Sequence, residues 1–325
     1  MAGLLVVTNG DSAAAKLALA LPGVDVLPWR DMLHDGPVPA GPSLRELSDL
    51  RASWLAAHLD LDPAEADATF RERDDRLAAV PPGSEVAVCV EHDLYDQLQL
   101  LQVLAELAPR SGEARLTLAQ ADDYLGPQEP EALASLFDRR CPVGADTLAA
   151  ARQAWDAFRA PTPEALAQEA ARTFPGLPWL APALRRLLDE LPDAVGLTRT
   201  ERTILEVLAE RSASPGVLFA AVGAREEARF LGDWPFFRRL EDLAALPERL
   251  VEGLPGRFNA RAGPAEQAAW AGSTVRLTKA GRAVLTGERD RLADRPPDRW
   301  LGGTHIRPGN VWRWDRDRRH LSRDG

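Results

Sequence analysis

Four short runs of aliphatic residues stand out in the first third of the chain, separated by longer segments in which apolar and polar positions alternate with helical spacing. The runs are GLLVVT (3–8), VDVLPW (24–29), EVAVCV (85–90) and ARLTLA (114–119). Short, uniformly apolar runs are typical of buried strands, and the segments between them are too long for hairpins. Strands that alternate with helices predict the α/β class, with a Rossmann-like parallel sheet over residues 1–128.

The segment after the second run is rich in proline and glycine, which prevents regular structure. RDMLHDGPVPAGP (30–42) is therefore predicted as a loop. Helical patterns follow over Ser43–Leu59 and Pro63–Ala79, and the chain returns to the sheet at Glu85.

Residues 129–195 show helical periodicity throughout, which predicts a helical connector. A new domain is predicted over residues 196–287, where Thr198 and Glu201 have the spacing of a capping box. Three helices followed by a two-stranded ribbon in this range resemble a winged helix-turn-helix.

The last segment, residues 288–325, is rich in tryptophan and arginine. It contains Trp300, Trp312 and Trp314 within a short stretch. Chain ends usually fray unless they are tied down, and large rings favour burial. We therefore expect this tail to dock on the rest of the chain.

Composition is that of a globular protein in a reducing compartment. Of the 325 residues, 45% are hydrophobic and 27% are charged, and the apolar runs are shorter than a membrane span. The N-terminus lacks the basic region of a signal peptide, so we expect a cytoplasmic protein with no membrane partner. Cys89 and Cys141 belong to no paired metal-binding motif, and both are expected in or near the core.

The net charge of -10 is concentrated in the N-terminal part of the chain. Residues 1–145 contain 11 basic and 24 acidic residues. Nucleic-acid binding requires clustered lysine and arginine, so it is not expected there. Residues 196–287 are close to neutral, which disfavours DNA binding by the winged-helix-like domain but leaves it as an alternative.

Polar residues follow three of the four predicted strands, at the edge where an open parallel sheet binds ligands. After the first strand come Asn9, Gly10, Asp11 and Ser12. Gly10 suits a tight turn, and Asp11 or Ser12 is predicted as the N-cap of a helix whose backbone N–H groups face an anion or a polar ligand. A plain capped turn is the alternative. Asp11 is also a candidate catalytic residue, although the stretch contains no GxGxxG or Walker motif.

The second strand is followed by Arg30, Asp31, His34 and Asp35. Arg30 is a candidate clamp for a carboxylate or phosphate, and the alternative is an ion pair with Asp31 or with a neighbouring strand end. Asp31 and His34 are further candidate ligand contacts. Because His34 and Asp35 lie in the Gly/Pro loop, solvated positions are the alternative for both.

The third strand ends in Glu91, His92 and Asp93, three consecutive titratable residues. One of them is expected to cap the following helix, and shifted pKa values are expected at a buried strand end. His92 is the candidate general acid or base, with Glu91 or Asp93 orienting it or a metal. Gln99 lies one helical turn after Asp96 and is expected to face the same crevice.

Two further chemistries find weaker support in the sequence. No HExxH or HxH spacing is present, so no metal site is predicted and the cofactor is left open. A Ser12 nucleophile with His92 as its base lacks a nucleophile-elbow motif. His305 is a candidate ligand contact that completes the site from the far end of the chain, and a tail packed through its tryptophans is the alternative.

Several phrases of the sequence together resemble one bacterial family. VTNGDSAA, WRDMLHDGPVPAG, EHDLYDQLQLLQ and DRWLGGTHI with WRWD are similar to the family catalogued as domain of unknown function 1835, whose members often carry a C-terminal region like the one from Gly196 onward. The resemblance brings no established activity with it. It implies that these positions belong to the family's motifs: Asn9, Gly10, Asp11, Arg30, Asp31, His34, Glu91, His92, Asp93 and Gln99.

Together these patterns predict an α/β domain that binds a small polar or anionic ligand, such as a nucleotide or phosphoester, and hydrolyses or transfers it. One alternative is a ligand-responsive regulator whose residues 196–287 bind DNA, for which Arg238 and Arg239 should face solvent on one stripe. The other is an interaction protein without turnover.

Overall fold

The computed structural model describes residues 3–110, 112–245, 247–294 and 297–324. Outside the described residues are Met1, Ala2, Ser111, Leu246, Arg295, Pro296 and Gly325. The chain divides into two compact units, Met1–Arg186 with Trp300–Thr304, and Leu187–Arg299 with His305–Gly325. The four-part division predicted from the sequence (1–128, 129–195, 196–287 and 288–325) is finer than this and stays a prediction. Within the described residues, no helix is both long and apolar enough to cross a membrane.

The first unit is a five-stranded sheet with helices. The elements of the chain up to residue 188, together with a 3-10 helix at Ala108–Arg110, are β1 (Leu4–Thr8), α1 (Asp11–Ala20), β2 (Asp25–Pro28), α2 (Leu44–Leu59), α3 (Pro63–Ala78), β3 (Glu85–Val90), α4 (Leu94–Leu107), β4 (Arg115–Gln120), α5 (Pro130–Asp138), β5 (Cys141–Pro142), α6 (Ala145–Phe158), α7 (Glu164–Ala170) and α8 (Leu180–Leu188).

The strand order in this sheet is β2-β1-β3-β4-β5. Strands β1 to β4 are parallel, as the sequence predicts, and all four predicted strands are confirmed. Val6 pairs with Val26 on one side and Ala87 on the other, so the apolar runs lie side by side in register.

Strand β5 corrects the prediction that residues 129–195 are helical throughout. It pairs antiparallel with β4 at the edge of the sheet, where Pro142 lies opposite Thr117. A proline cannot continue a helix but is tolerated on an edge strand. The expectation for the cysteines is confirmed for Cys89, which is buried in β3, and wrong for Cys141, which is exposed.

Capping residues define the ends of the two helices in the long crossover between β2 and β3. Ser43 caps α2 in a capping box with Glu46, and Asp62 caps α3 with Pro63 at its first position. Asp60 ends α2 in the left-handed conformation, with φ 56°. The loop before α2 contains no helix or strand among the described residues, as its prolines and glycines predict.

The remaining elements follow from residue 199 onward. They are α9 (Arg199–Glu210), α10 (Pro215–Gly223), α11 (Asp233–Ala244), β6 (Val251–Glu252), α12 (Pro264–Ala271), β7 (Arg276–Leu277), α13 (Lys279–Leu285), α14 (Arg291–Asp294), β8 (Arg299–Leu301), β9 (Thr304–Ile306), β10 (Trp312–Asp315) and β11 (His320–Arg323). The predicted capping box of Thr198 and Glu201 is confirmed at the start of α9. Residues of α9, α10, α11 and β6 form the core of the second unit.

Candidate functional site

The carboxyl edge of the sheet brings the ends of β1 and β3 together. β1 lies between β2 and β3, and the chain leaves β1 towards β2 but leaves β3 in the opposite direction, towards β4. In an open parallel sheet a crevice forms at such a point, outside the carboxyl ends of the strands. Asn9 follows β1 there, and Glu91 follows β3.

Three buried carboxyl groups, which we call the acid cluster, converge at this point. They belong to Glu91, Asp93 and Asp96, and one carboxylate oxygen of each lies within 4.8 Å of the other two. Asp93 caps α4, because its Oδ1 accepts hydrogen bonds from the backbone N–H groups of Tyr95 (2.8 Å) and Asp96 (3.2 Å). The prediction that one of the three residues after β3 caps the helix is thus confirmed.

Hydrogen bonds tie the acid cluster to three strand ends. Asn9 Nδ2 donates to Asp96 Oδ2 (2.7 Å), and the backbone N–H of Glu91 donates to Asp96 Oδ1 (3.2 Å). The N–H of Leu125, in the loop after β4, donates to Glu91 Oε1 (2.7 Å). Each carboxylate is therefore held by uncharged donors and cannot turn towards solvent without losing them.

Two carboxyl groups of the acid cluster, those of Asp93 and Asp96, have raised pKa values. Burial and the neighbouring Glu91 carboxylate raise the pKa of Asp93 to about 8. Burial, together with Asp93 and Glu91, raises the pKa of Asp96 well above its ordinary value. None of the described lysine, arginine or histidine nitrogens lies within ion-pair distance of these carboxylates. The acid cluster thus retains a proton near neutral pH, and its oxygens also have the chemistry of divalent-cation ligands.

Asp96 is the member of the acid cluster that sequence reasoning did not propose as functional. In the sequence it is only the residue one helical turn before Gln99. The available signal was its position three residues after Asp93, which places it in the first turn of the helix beside the capping carboxylate.

His92 lies apart from the acid cluster's hydrogen bonds. Its ring packs against Tyr124 (centroids 5.4 Å apart) and edge-on against Trp179 (5.6 Å). Its Nδ1 is buried without a hydrogen-bond partner among the described residues, so neither Glu91 nor Asp93 orients the imidazole through that nitrogen.

The start of α1 differs from the expected capped turn. The expectation that Asp11 or Ser12 is the N-cap is wrong, because Gly10 occupies that position and no side chain caps the helix. Asp11 is the first helical residue, and its carboxylate binds Arg30 through Nη2 (2.6 Å) and Nε (2.9 Å). Ser12 lies close to Gly126 of the loop after β4.

Of the alternatives for Arg30, the structure has the ion pair with a neighbouring strand end. Arg30 adopts the left-handed conformation, with φ 47°, and its N–H donates to the carbonyl of Asn9 (3.0 Å). Both members of the Arg30–Asp11 pair are exposed, at 40% and 73%. An exposed pair of this kind contributes little to folding stability, about 0–1 kcal/mol.

Asp31 lies in a buried ion pair. Its Oδ1 accepts hydrogen bonds from Nε (3.0 Å) and Nη2 (2.9 Å) of Arg51, a residue of α2 that the sequence did not single out. Gln99 Nε2 donates to the carbonyl of Asp31 (2.8 Å). The solvated alternative for His34 and Asp35 is wrong, since both are buried.

His305 belongs to the second unit. Its Nε2 lies 2.7 Å from Asp298 Oδ1. In the same unit Trp312 and Trp314 are buried, and Trp314 Nε1 donates to Asp189 Oδ1 (3.0 Å). The expected contribution of His305 to the site stays a prediction.

Helix α11 lacks the exposed pair of arginines that DNA binding was expected to need. Arg238 is buried and its Nη1 lies 2.8 Å from Glu241 Oε2. Phe236 and Phe237 pack into the core of the second unit.

Neither a scan of protein-family models nor a search of curated proteins finds a match to the chain. The resemblance to domain of unknown function 1835 therefore stays a prediction.

Proposed function

We propose that the first unit binds a small polar or anionic ligand at the carboxyl edge of its sheet, where Asn9 meets the acid cluster, and hydrolyses it or transfers a group from it. The observation that carries this proposal is the convergence of three buried carboxyl groups without a basic partner among the described residues. Burying such groups costs folding free energy, and raised pKa values of this origin are typical of catalytic sites.

In this proposal, Asp93 rather than His92 transfers the proton. A pKa of about 8 lets Asp93 hold a proton near neutral pH and still lose it during a reaction. Asn9 and the N–H of Leu125 hold its two carboxyl neighbours in place. His92, whose ring packs on Tyr124 and Trp179, forms part of the wall beside the site.

The start of α1 supplies the attraction for an anion. Its first N–H groups are not capped by a side chain, and helix N-termini favour negative charge. Arg30 lies at the same edge, and an incoming phosphate or carboxylate would replace Asp11 as its partner.

The test compares Asp93→Asn and Asp96→Asn with the unaltered protein in a screen of phosphomonoesters, phosphodiesters and carboxylic esters, with and without divalent cations. Turnover by the unaltered protein should fall by about 100-fold or more in Asp93→Asn. The matched control is Asp138→Asn, which changes an exposed carboxylate at the end of α5. Turnover that survives at the unaltered rate in both cluster variants would contradict the proposal, as would the absence of turnover and of ligand binding.

For the second unit, we propose a winged-helix-like arrangement that serves packing or protein contacts. In support of it, α9, α10 and α11 precede the β6–β7 ribbon, and Ala213 forms an antiparallel bridge to Val275 beside that ribbon. DNA binding is the weaker candidate because Arg238 is buried and paired. The test is a gel mobility-shift experiment with duplex DNA and the intact chain. A salt-dependent mobility shift that is lost in Arg239→Ala would favour DNA binding over packing or protein contacts.

A further inference from the structure

A groove opens at the carboxyl end of β4. It has a volume of about 560 Å³ and lies between β4, β5, the start of α6 and the segment before α8. This volume is in the range of small-molecule sites. We call it the β4 groove, and the lining residues used below are Asp122, Arg139, Thr147 and Trp179.

An aromatic side chain forms one wall of the β4 groove and connects it to the strand end that carries the acid cluster. Trp179 is half-buried, lines the groove and packs edge-on against His92. His92 is the residue between Glu91 and Asp93 in the chain. A planar ligand ring that stacks on a partly exposed indole gains both apolar burial and a favourable ring geometry.

A cation without a partner lies in the same groove. Arg139 is exposed, and its guanidinium has no acceptor among the described residues. The next residue, Arg140, is by contrast bound to Glu85 through Nε (2.7 Å) and lies over the Phe137 ring at 4.2 Å. Arg140 is thus engaged in contacts within the fold, whereas the guanidinium of Arg139 is available to bind an anion.

Polar groups complete the lining. Asp122 is exposed and can accept hydrogen bonds from N–H groups of a ligand. Thr147 lies in the first turn of α6, whose N-cap is Gly144 without a side-chain cap. Arginine, carboxylate and indole together suit a ligand that carries an anion, N–H donors and a flat ring.

From this combination we propose that the β4 groove binds a planar heteroaromatic compound with an anionic group, of the size and chemistry of a nucleoside monophosphate. Trp179 stacks on the ring, Arg139 binds the anion and Asp122 accepts N–H groups of the ring. This proposal goes beyond the proposed function and does not depend on the role of the acid cluster.

The probes are the four common ribonucleoside monophosphates, with adenosine and inorganic phosphate as fragments, measured by calorimetry and tryptophan fluorescence on the full chain. At least one monophosphate should bind, and more tightly than either fragment. Arg139→Ala should weaken binding by about tenfold or more, which is the range of a charge-assisted pair. Trp179→Leu should weaken it as well and remove part of the fluorescence change. Because Arg139 is exposed, its variant is expected to fold even if Trp179→Leu does not.

Arg152→Ala is the matched control, since it removes another exposed arginine of the first unit that lies outside the groove lining. It should leave binding unchanged. The proposal is overturned if no monophosphate binds at millimolar concentration, if Arg139→Ala binds as tightly as the unaltered protein, or if phosphate alone binds as tightly as the monophosphates.

Failure of this proposal and failure of the proposed function give different results. If only the acid cluster's role is wrong, Asp93→Asn has no effect on turnover while Arg139→Ala still weakens binding. If only the groove's role is wrong, Asp93→Asn abolishes turnover of another substrate class and Arg139→Ala binds every ligand normally.

Discussion

Asp31 and Arg51 form an ion pair in which both side chains are fully buried, with Arg51 Nη2 2.9 Å from Asp31 Oδ1. The same guanidinium donates to the carbonyls of Met32 (2.9 Å) and Asp35 (2.7 Å). One side chain of α2 therefore donates to one carboxylate oxygen and to two backbone carbonyls of the loop after β2. The position of that loop at the sheet edge depends on a charge supplied from the crossover helix.

Arg51→Met should destabilise the first unit strongly. Removing Arg51 leaves the buried Asp31 carboxylate with only the more distant Arg73, whose Nη1 lies 3.9 Å from Oδ2. Breaking a buried pair in this way costs about 3 kcal/mol. The measurement is urea denaturation at neutral pH. Arg45→Met is the control on the same helix, because Arg45 pairs with Asp75 at the surface and should cost less than about 1 kcal/mol. Equal losses in the two variants would mean that the buried pair contributes no more than an exposed one.

The acid cluster should make folding stability fall as pH rises. The pKa of Asp93 is about 8 in the folded protein, against about 3.9 for an exposed aspartate, so between these values the folded state binds more protons than the unfolded state. The free energy of unfolding should therefore decrease as the pH rises through this window.

Asp93→Asn provides the comparison for that pH dependence. Asparagine still accepts the capping hydrogen bonds through its amide oxygen but does not titrate. Thermal unfolding of the variant between pH 5 and 8 should show a shallower dependence on pH than the unaltered protein. A variant whose curve runs parallel to that of the unaltered protein would show that Asp93 does not hold the proton.

Glu201 should give the opposite pH dependence in the second unit. Its carboxylate is fully buried, and Oε1 lies 2.5 Å from Arg291 and 3.0 Å from Arg299. Burial alone would raise its pKa, but the two arginines and the capping hydrogen bond to Thr198 outweigh burial and lower the pKa below the ordinary value. The stabilisation is thus present above the unfolded pKa of about 4.3 and is lost as pH falls below it.

Glu201→Gln removes both the charge and this titration. The variant should be less stable at neutral pH by about 3–5 kcal/mol, because two arginines lose their buried counter-charge. The difference from the unaltered protein should shrink as the pH falls below about 4, which acid titrations followed by circular dichroism would reveal. A difference that stays constant with pH would exclude the ion pairs as its source.

The strands could be predicted because each is a compact aliphatic run. Val86–Val90 is apolar at every position, as a strand buried on both faces must be. The edge where Asn9 and Glu91 meet follows from the same reasoning, since parallel strands end at one edge. Strand β5 could not be found in this way, because its two residues, Cys141 and Pro142, carry no periodicity.

Buried polar residues inside helices were harder to predict from the sequence than the strands. Arg51 lies in a helix that also contains the exposed Glu46. A charged residue at a given helical position, such as Arg51 or Asp96, looks the same in sequence whether it faces solvent or a buried partner. What buries Arg51 is the return of the Gly/Pro loop, whose path depends on tertiary contacts. A buried charge can be predicted only together with its partner, and Asp31 is 20 residues away from Arg51.

The last prediction concerns the Gly-Gly pair of the tail segment that belongs to the first unit. Gly302 has φ 58° and its carbonyl accepts a hydrogen bond from the N–H of Val38 (2.8 Å). The N–H of Gly303 donates to the carbonyl of Phe158 (3.0 Å). A Cβ at Gly303 would lie 1.8 Å from the carbonyl oxygen of Arg159, a distance that backbone atoms cannot accommodate without moving apart.

Gly303→Ala should therefore displace this segment from the loop after β2. The clash should cost about 1–3 kcal/mol, and hydrogen exchange at the amide of Val38 should become faster because its acceptor moves away. Gly112→Ala is the control, since a Cβ at Gly112 would meet no atom within 4 Å. If Gly303→Ala keeps both the stability and the Val38 protection of the unaltered protein, the segment is not held there in solution. If the variant loses both stability and protection of the Val38 amide, the segment with Gly302 and Gly303 stabilises the loop that carries His34 and Asp35.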